Sequence, residues 1–174
     1  MKTSRKRLIL PIVFLILTLA LQIWIFSNSM KDAEESGEQS AQVVEVVKPV
    51  YEQVLLAVNV PPTYENITHY VRKTGHFAEF FGLGVLSLLT VWFFRPEGKK
   101  KWLYLLCPVL CFLTAAADEA IQLGSEGRGP QWSDVFLDFC GALTGILLAF
   151  LLALLFRSIR RKKRIKKEKK NESV

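Results

Sequence analysis

The sequence offers few of the residues that soluble chemistry relies on. It has three cysteines and two histidines in 174 residues. Cys107, Cys111 and Cys140 lie inside apolar stretches, with no CxxC and no Cys/His spacing of a zinc site, so they read as small buried hydrophobes. No Ser/His/Asp order, phosphate-binding loop, nucleophile signature or internal repeat stands out. The first apolar run is followed by Phe26-Ser27-Asn28-Ser29, a poor cleavage site, so residues 1–26 read as an uncleaved anchor and not as a signal peptide. A large soluble core is also missing. Half the chain is hydrophobic (51%), and four apolar stretches take up most of that fraction.

Those stretches cover residues 8–26, about 76–94, 102–122 and 135–156. Each has the ~20 residues that an α-helix needs to cross ~30 Å of hydrocarbon. Charge is distributed around them unevenly. The N-terminus carries Lys2, Arg5, Lys6 and Arg7; segment 95–101 carries Arg95, Lys99, Lys100 and Lys101; the tail 157–174 carries ten more basic residues. Thus 18 of the 23 basic residues occupy alternate connecting segments, the pattern of a four-helix membrane protein with both termini in the cytoplasm. The net charge of +7 is juxtamembrane, which favours anionic lipid headgroups as the partner of the basic tail and excludes nucleic acid. The fold expected is an all-α membrane protein. It is a four-transmembrane-helix bundle over residues 1–156, with an amphipathic outer segment between helices one and two and a basic cytoplasmic tail over 157–174.

The long connection, 27–74, holds seven acids against four basic residues and belongs outside. Within it Ser36 to Ala57 has helical potential, with Val43, Val44, Val46, Val47, Val50, Val54 and Leu55 forming a rough apolar face that Pro49 divides. A piece lying on the bilayer surface fits this pattern, and so does a lid over the helix ends. Pro61-Pro62 breaks the chain before helix two. Pro11 falls near the start of helix one, where a first turn tolerates it, and Pro108 should kink helix three. Arg95-Pro96-Glu97-Gly98 makes a tight turn. Helix four begins near Ser133, with Asp134 in a plausible N-cap region. The tail is a low-complexity basic run expected to lack structure beyond about Arg164.

Ionisable groups inside membrane helices cost ~2.5–3.5 kcal/mol each at the helix centre, so their placement is informative. His76, Glu79, Asp118, Glu119 and Asp138 all fall within ~5–8 Å of the outer boundary at 1.5 Å per residue, and none falls in an inner half. The pairs His76/Glu79, Asp118/Gln122, Glu119/Gln122 and Asp134/Asp138 are spaced i, i+3 or i, i+4, so each helix presents a polar stripe over its outermost turns. Packing turns such stripes inward, and Arg128 in the loop between helices three and four is the natural counter-ion. Gln22, Thr114 and Thr144 read as groups that fix helix register. Four acids with one histidine and one arginine leave excess negative charge, to be relieved by protonation, by water, or by a cationic ligand or metal. Gly141 and Gly145 form GxxxG beside Asp138, and Ala78 and Gly82 are small residues four apart on helix two, which favours a tight junction there.

Taken together, the run from Val71 through Arg72, Lys73, His76, Phe77 and Glu79 to Phe80, then Asp118-Glu119-Ala120-Ile121-Gln122, Gly127-Arg128-Gly129, Asp134, Asp138, Gly141 and Gly145, resembles the VanZ-like family. Its pattern is RK-x-x-HF-x-E-[YF], DE-x-x-Q, a loop arginine, and D-x-x-x-[ND]-x-x-G-x-x-x-G. Ile25-Phe26-Ser27 resembles the family's exit from helix one. Phe80 stands where tyrosine is common, and Asp138 where asparagine is common, which adds a negative charge to the site. The family is named for a protein linked to low-level resistance to teicoplanin, a lipoglycopeptide. The resemblance implies a small multi-pass protein of the bacterial cytoplasmic membrane with its polar cluster outward, and supplies no reaction.

Three functions are compatible with these residues. The first is a non-enzymatic protein that binds a lipid-linked or lipidated ligand, a lipoglycopeptide among them, at the candidate cluster His76, Glu79, Asp118, Glu119, Gln122, Arg128, Asp134 and Asp138. The second is a membrane-embedded enzyme acting on a lipid or lipid-linked headgroup, with His76 as general base or metal ligand. The third, a transporter, is weakest, because no polar path crosses to the inside. No cofactor is identifiable; a single histidine among carboxylates suits a hard divalent cation better than zinc.

Overall fold

The computed structural model describes residues 2–94, 103–124 and 131–172. They form five helices: α1 (Lys2–Ser29), α2 (Ala33–Ala57), α3 (Tyr64–Phe94), α4 (Leu103–Gln122) and α5 (Trp132–Glu172). Four contain spans long and apolar enough to cross a membrane: Ile9–Ser29, Tyr64–Phe94, Leu103–Gln122 and Trp132–Ile165. A continuous helix is the natural state of such a segment, because the bilayer offers no partner for a free backbone N–H or C=O. The sides of the bundle are lined with exposed Ile16, Ile23, Leu105, Leu113, Leu147 and Leu151. An apolar belt of that extent belongs against lipid. The chain is an all-helical membrane protein.

The helices run further than the apolar stretches do. α1 already begins at Lys2, which places Pro11 well inside it and not in its first turn. α3 begins at Tyr64, about three turns before the apolar run. Its start is marked by Thr63, whose hydroxyl accepts the Asn66 N–H at 3.2 Å. α5 continues through the basic tail to Glu172, where an unstructured end was expected. Residues 157–172 contain no glycine or proline, and Arg, Lys and Glu are good helix formers, so nothing there stops the helix. α4 passes through Pro108 as one helix, and α2 likewise passes through Pro49.

α2 is capped by Asp32, whose carboxylate accepts the Glu35 N–H at 2.8 Å, with Glu34 and Glu35 in the first turn favourably placed for the helix dipole. Just past its end Asn59 is left-handed at φ 57°, and the Val60 N–H returns to the Leu55 carbonyl at 2.8 Å. Pro61-Pro62 then turns the chain into α3. Val44 and Leu55 of α2 bury against Ile67 and Val71 in the early part of α3. The Tyr51 hydroxyl donates to Thr74. The amphipathic segment is therefore one half of an antiparallel helical hairpin that stands on the bundle.

The most extensive packing is between α3 and α5. It depends on glycine. A Cβ at Gly141 would meet the Phe77 carbonyl oxygen, one at Gly145 the Phe81 carbonyl oxygen, and one at Gly84 the Ala142 carbonyl oxygen. The backbones touch, as GxxxG predicts. The matching small residue on α3 is Gly84, however; Gly82 faces Leu21 of α1 and Ala78 is exposed. Ile25, Phe80, Leu83, Cys111, Ala115, Val135 and Ala142 fill the centre. Register between spans is fixed by Gln22 donating to Thr114 at 2.9 Å and by a hydrogen bond of 3.1 Å between the Thr18 and Thr90 hydroxyls. Thr144 donates within its own helix, to the Cys140 carbonyl.

Candidate functional site

α1 and α4 finish at the end of the bundle where α5 starts, and α3 passes through the same level on its way to the hairpin. Asp118, one turn before the end of α4, is fully buried. A carboxylate there needs donors, since each unmet lone pair carries a desolvation cost. Two are supplied. The Ser29 hydroxyl, from the last residue of α1, donates to Oδ1, and the Gln122 amide donates to Oδ2 at 3.1 Å. The i, i+4 spacing of Asp118 and Gln122 produces the second bond directly.

Asp138 projects from the second turn of α5 into the same place and is 2% exposed. Its Oδ1 is buried and accepts no hydrogen bond. The His76 ring of α3 places Nδ1 at 3.9 Å from that oxygen, beyond hydrogen-bond reach. His76, Asp118 and Asp138 each bring one ligand-type atom to within 4.8 Å of the others. An imidazole between two carboxylates has three chemical options: it can relay a proton, hold a cation, or bind a donor group of a ligand.

The other candidates stand around this centre and serve the helices that build it. Glu79 turns toward α1, where Trp24 Nε1 and Asn28 Nδ2 both donate to it at 3.0 Å. Lys31 in turn donates to Asn28 at 3.0 Å. Glu119 is 7% exposed and accepts the Gln131 N–H, so it ties the start of α5 to the end of α4. Asp134 lies in the first turn of α5 and pairs with half-buried Lys73 of α3. Arg128 lies outside the described residues. The expected single gathering thus resolves into a centre of His76, Asp118, Asp138 and Gln122, with Glu79, Glu119 and Asp134 as fasteners.

Two grooves reach this region from opposite sides of α3. One, of about 570 Å³, is lined by Tyr70, Phe77 and Leu137 together with Lys73 and Asp134. The other, of about 250 Å³, runs between α1, α2 and α3 and is lined by Trp24, Ser40, Arg72, His76 and Glu79. The first is mainly apolar, and the second is the more polar of the two, with Ser40, Arg72, His76 and Glu79 in its lining.

The VanZ/LLP1 family pattern matches residues 14–156, from α1 through the membrane part of α5. The chain belongs to this family. Every residue of the centre and every fastener falls within the VanZ/LLP1 match. Comparison with curated proteins and with solved structures found no match.

Sequence reasoning missed Ser29, Asn28, Trp24 and Lys73, which complete the polar assembly of this VanZ/LLP1 chain. One signal pointed to Asn28 and Ser29: a polar Ser-Asn-Ser run at the end of an apolar helix sits at the same depth as the acids of the other spans, while Lys73 stood in the RK of the resemblance without a role.

Proposed function

We propose that this VanZ/LLP1 protein sits in the bacterial cytoplasmic membrane with both termini in the cytoplasm, and that its polar centre binds the headgroup of a lipid-linked or lipidated ligand at the outer leaflet. Lipoglycopeptides such as teicoplanin belong to that ligand class. The observation that carries the reading is Asp138. A cluster kept only to hold helices together has its buried groups satisfied internally, as Asp118 is. Asp138 instead presents a buried oxygen with no hydrogen-bond partner. The apolar groove beside Phe77 and Leu137 supplies a place for a hydrocarbon chain, and the groove lined by Arg72, His76 and Glu79 supplies one for a headgroup.

A deletion strain complemented with wild type, Asp138→Asn or His76→Ala tests this, with cell-wall precursors, lipids and teicoplanin tolerance compared at matched expression. Asn keeps the size of Asp138 and removes its charge. Asp138→Asn at normal membrane abundance with the profile of the deletion strain supports a site. Full activity of the variant overturns the reading, as does loss of activity only in step with loss of protein.

A second reading is a membrane-embedded enzyme acting on the same headgroup. The proximity of His76 to Asp138, at 3.9 Å, favours it, because a carboxylate beside an imidazole suits a general base. Release of a chemically altered lipid by the purified protein distinguishes the two.

A further inference from the structure

We propose that His76, Asp118 and Asp138 form a divalent-cation site, and that manganese is the ion its donor set suits best. The inference deepens the reading of this cluster as the ligand site and rests on it for its functional meaning.

The geometry supports the proposal on two independent counts. First, the three side chains come from α3, α4 and α5, and their ligand-type atoms lie within 4.8 Å of one another. Divalent cations hold their ligands at roughly 2.0–2.6 Å, which spaces ligand atoms by no more than about 4–5 Å. Second, Asp138 is 98% buried, as its 2% exposure gives, and its Oδ1 has no hydrogen-bond partner. A buried carboxylate oxygen left in this state is costly, and a cation shared with His76 and Asp118 relieves that cost.

The surroundings fit a ligand set. Asp118 is held on both oxygens by Ser29 and Gln122, hydrogen bonds that fix the orientation of a coordinating carboxylate while leaving lone pairs free. Among the described residues, the group whose ligand atoms converge holds His76, Asp118 and Asp138 and neither Glu79 nor Glu119, which turn toward Trp24, Asn28 and Gln131. The donor chemistry narrows the choice. Two carboxylates favour hard cations; one imidazole is poorly suited to calcium and magnesium; and the lack of a second histidine or a cysteine disfavours zinc. Manganese accepts both oxygen and a single imidazole nitrogen. Three protein ligands leave coordination positions for water or for an anionic oxygen of a headgroup, and that makes this class of ligand a natural companion of the ion.

The test uses the full chain in zwitterionic phosphatidylcholine nanodiscs, treated with chelator and titrated with Mn²⁺ while the electron paramagnetic resonance signal of free Mn²⁺ is followed. Wild type should remove one equivalent per chain. Asp138→Asn and His76→Ala should weaken binding by about 100-fold or more, while Glu45→Gln on the exposed side of α2 leaves it unchanged. Mn²⁺ should also raise the thermal midpoint of wild type, and not that of Asp138→Asn. A wild type that binds no equivalent overturns the proposal whatever the variants do. Binding that survives Asp138→Asn also overturns it. The ligand reading fails separately: Mn²⁺ binding that depends on Asp138, combined with full activity of Asp138→Asn in cells, keeps the cation site and removes its role. Absence of Mn²⁺ binding with activity lost in Asp138→Asn keeps the ligand site and removes the ion.

Discussion

The hydroxyl of Ser29 donates to the carboxylate of Asp118, and that bond joins the last residue of α1 to the last turn of α4. It places a fully buried acid where α1 and α4 end together. Ser29→Ala should therefore destabilise the bundle by about 1–3 kcal/mol, the cost of leaving a buried acceptor short of a donor. Gln122→Leu should do the same from the other side. Thermal midpoints in detergent, read by size-exclusion fluorescence, check both. Wild-type stability of Ser29→Ala would mean that Asp118 finds another donor.

The contact of α3 with α5 gives a sharper contrast between glycines. Gly145→Ala and Gly84→Ala place a methyl group against a backbone carbonyl, which no rotamer change can move aside, so folded protein in membranes should fall several-fold. Gly75 has open space around it, so Gly75→Ala should be neutral or stabilise by about 0.5–1 kcal/mol through helix propensity. Immunoblots of membrane fractions and thermal midpoints distinguish the two outcomes.

Those glycines also show how the sequence carries the fold unevenly. Gly141 and Gly145 were legible because GxxxG lies on one helix, and the acids were legible because lipid makes each one conspicuous. The partner Gly84 was not legible. Whether Gly82 or Gly84 meets α5 depends on the rotation of α3, which one helix alone does not state. The same limit affected the site. Spacing placed His76, Glu79, Asp118, Glu119 and Asp138 at one level, but not which of them face each other. Glu79 went to Trp24 and Asn28 of α1. Glu119 went to a backbone N–H across a connection. Helix ends were the least legible, because the hydrophobic pattern marks where lipid stops and not where the helix does. α3 and α5 both continue past it.

The proposed orientation makes a direct experimental claim. Single cysteines introduced into a cysteine-free background at Glu35, exposed on α2, and at Gly98, between α3 and α4, should respond oppositely to an impermeant maleimide in intact cells. Glu35→Cys should be labelled, and Gly98→Cys should be protected until the cells are opened, as the basic asymmetry of the connecting segments requires. The reverse result would place the His76 centre on the cytoplasmic side and redirect the search for its ligand.

Glu119 separates fastening from chemistry. Its carboxylate accepts the Gln131 N–H just before α5, one of the backbone donors that a helix start leaves without an internal partner. Glu119→Gln keeps a carbonyl oxygen able to accept that bond, whereas Glu119→Ala removes the acceptor. If Glu119 acts only as a fastener, Glu119→Ala should cost about 0.5–2 kcal/mol, as lost helix caps do, and Glu119→Gln should restore both stability and activity. Asp138→Asn should behave in the opposite way, keeping stability and losing activity. Thermal midpoint, membrane abundance and cellular phenotype, measured on all three variants together, settle the assignment. A Glu119→Gln protein that is as stable as wild type yet inactive would move Glu119 from the frame of the site into its chemistry.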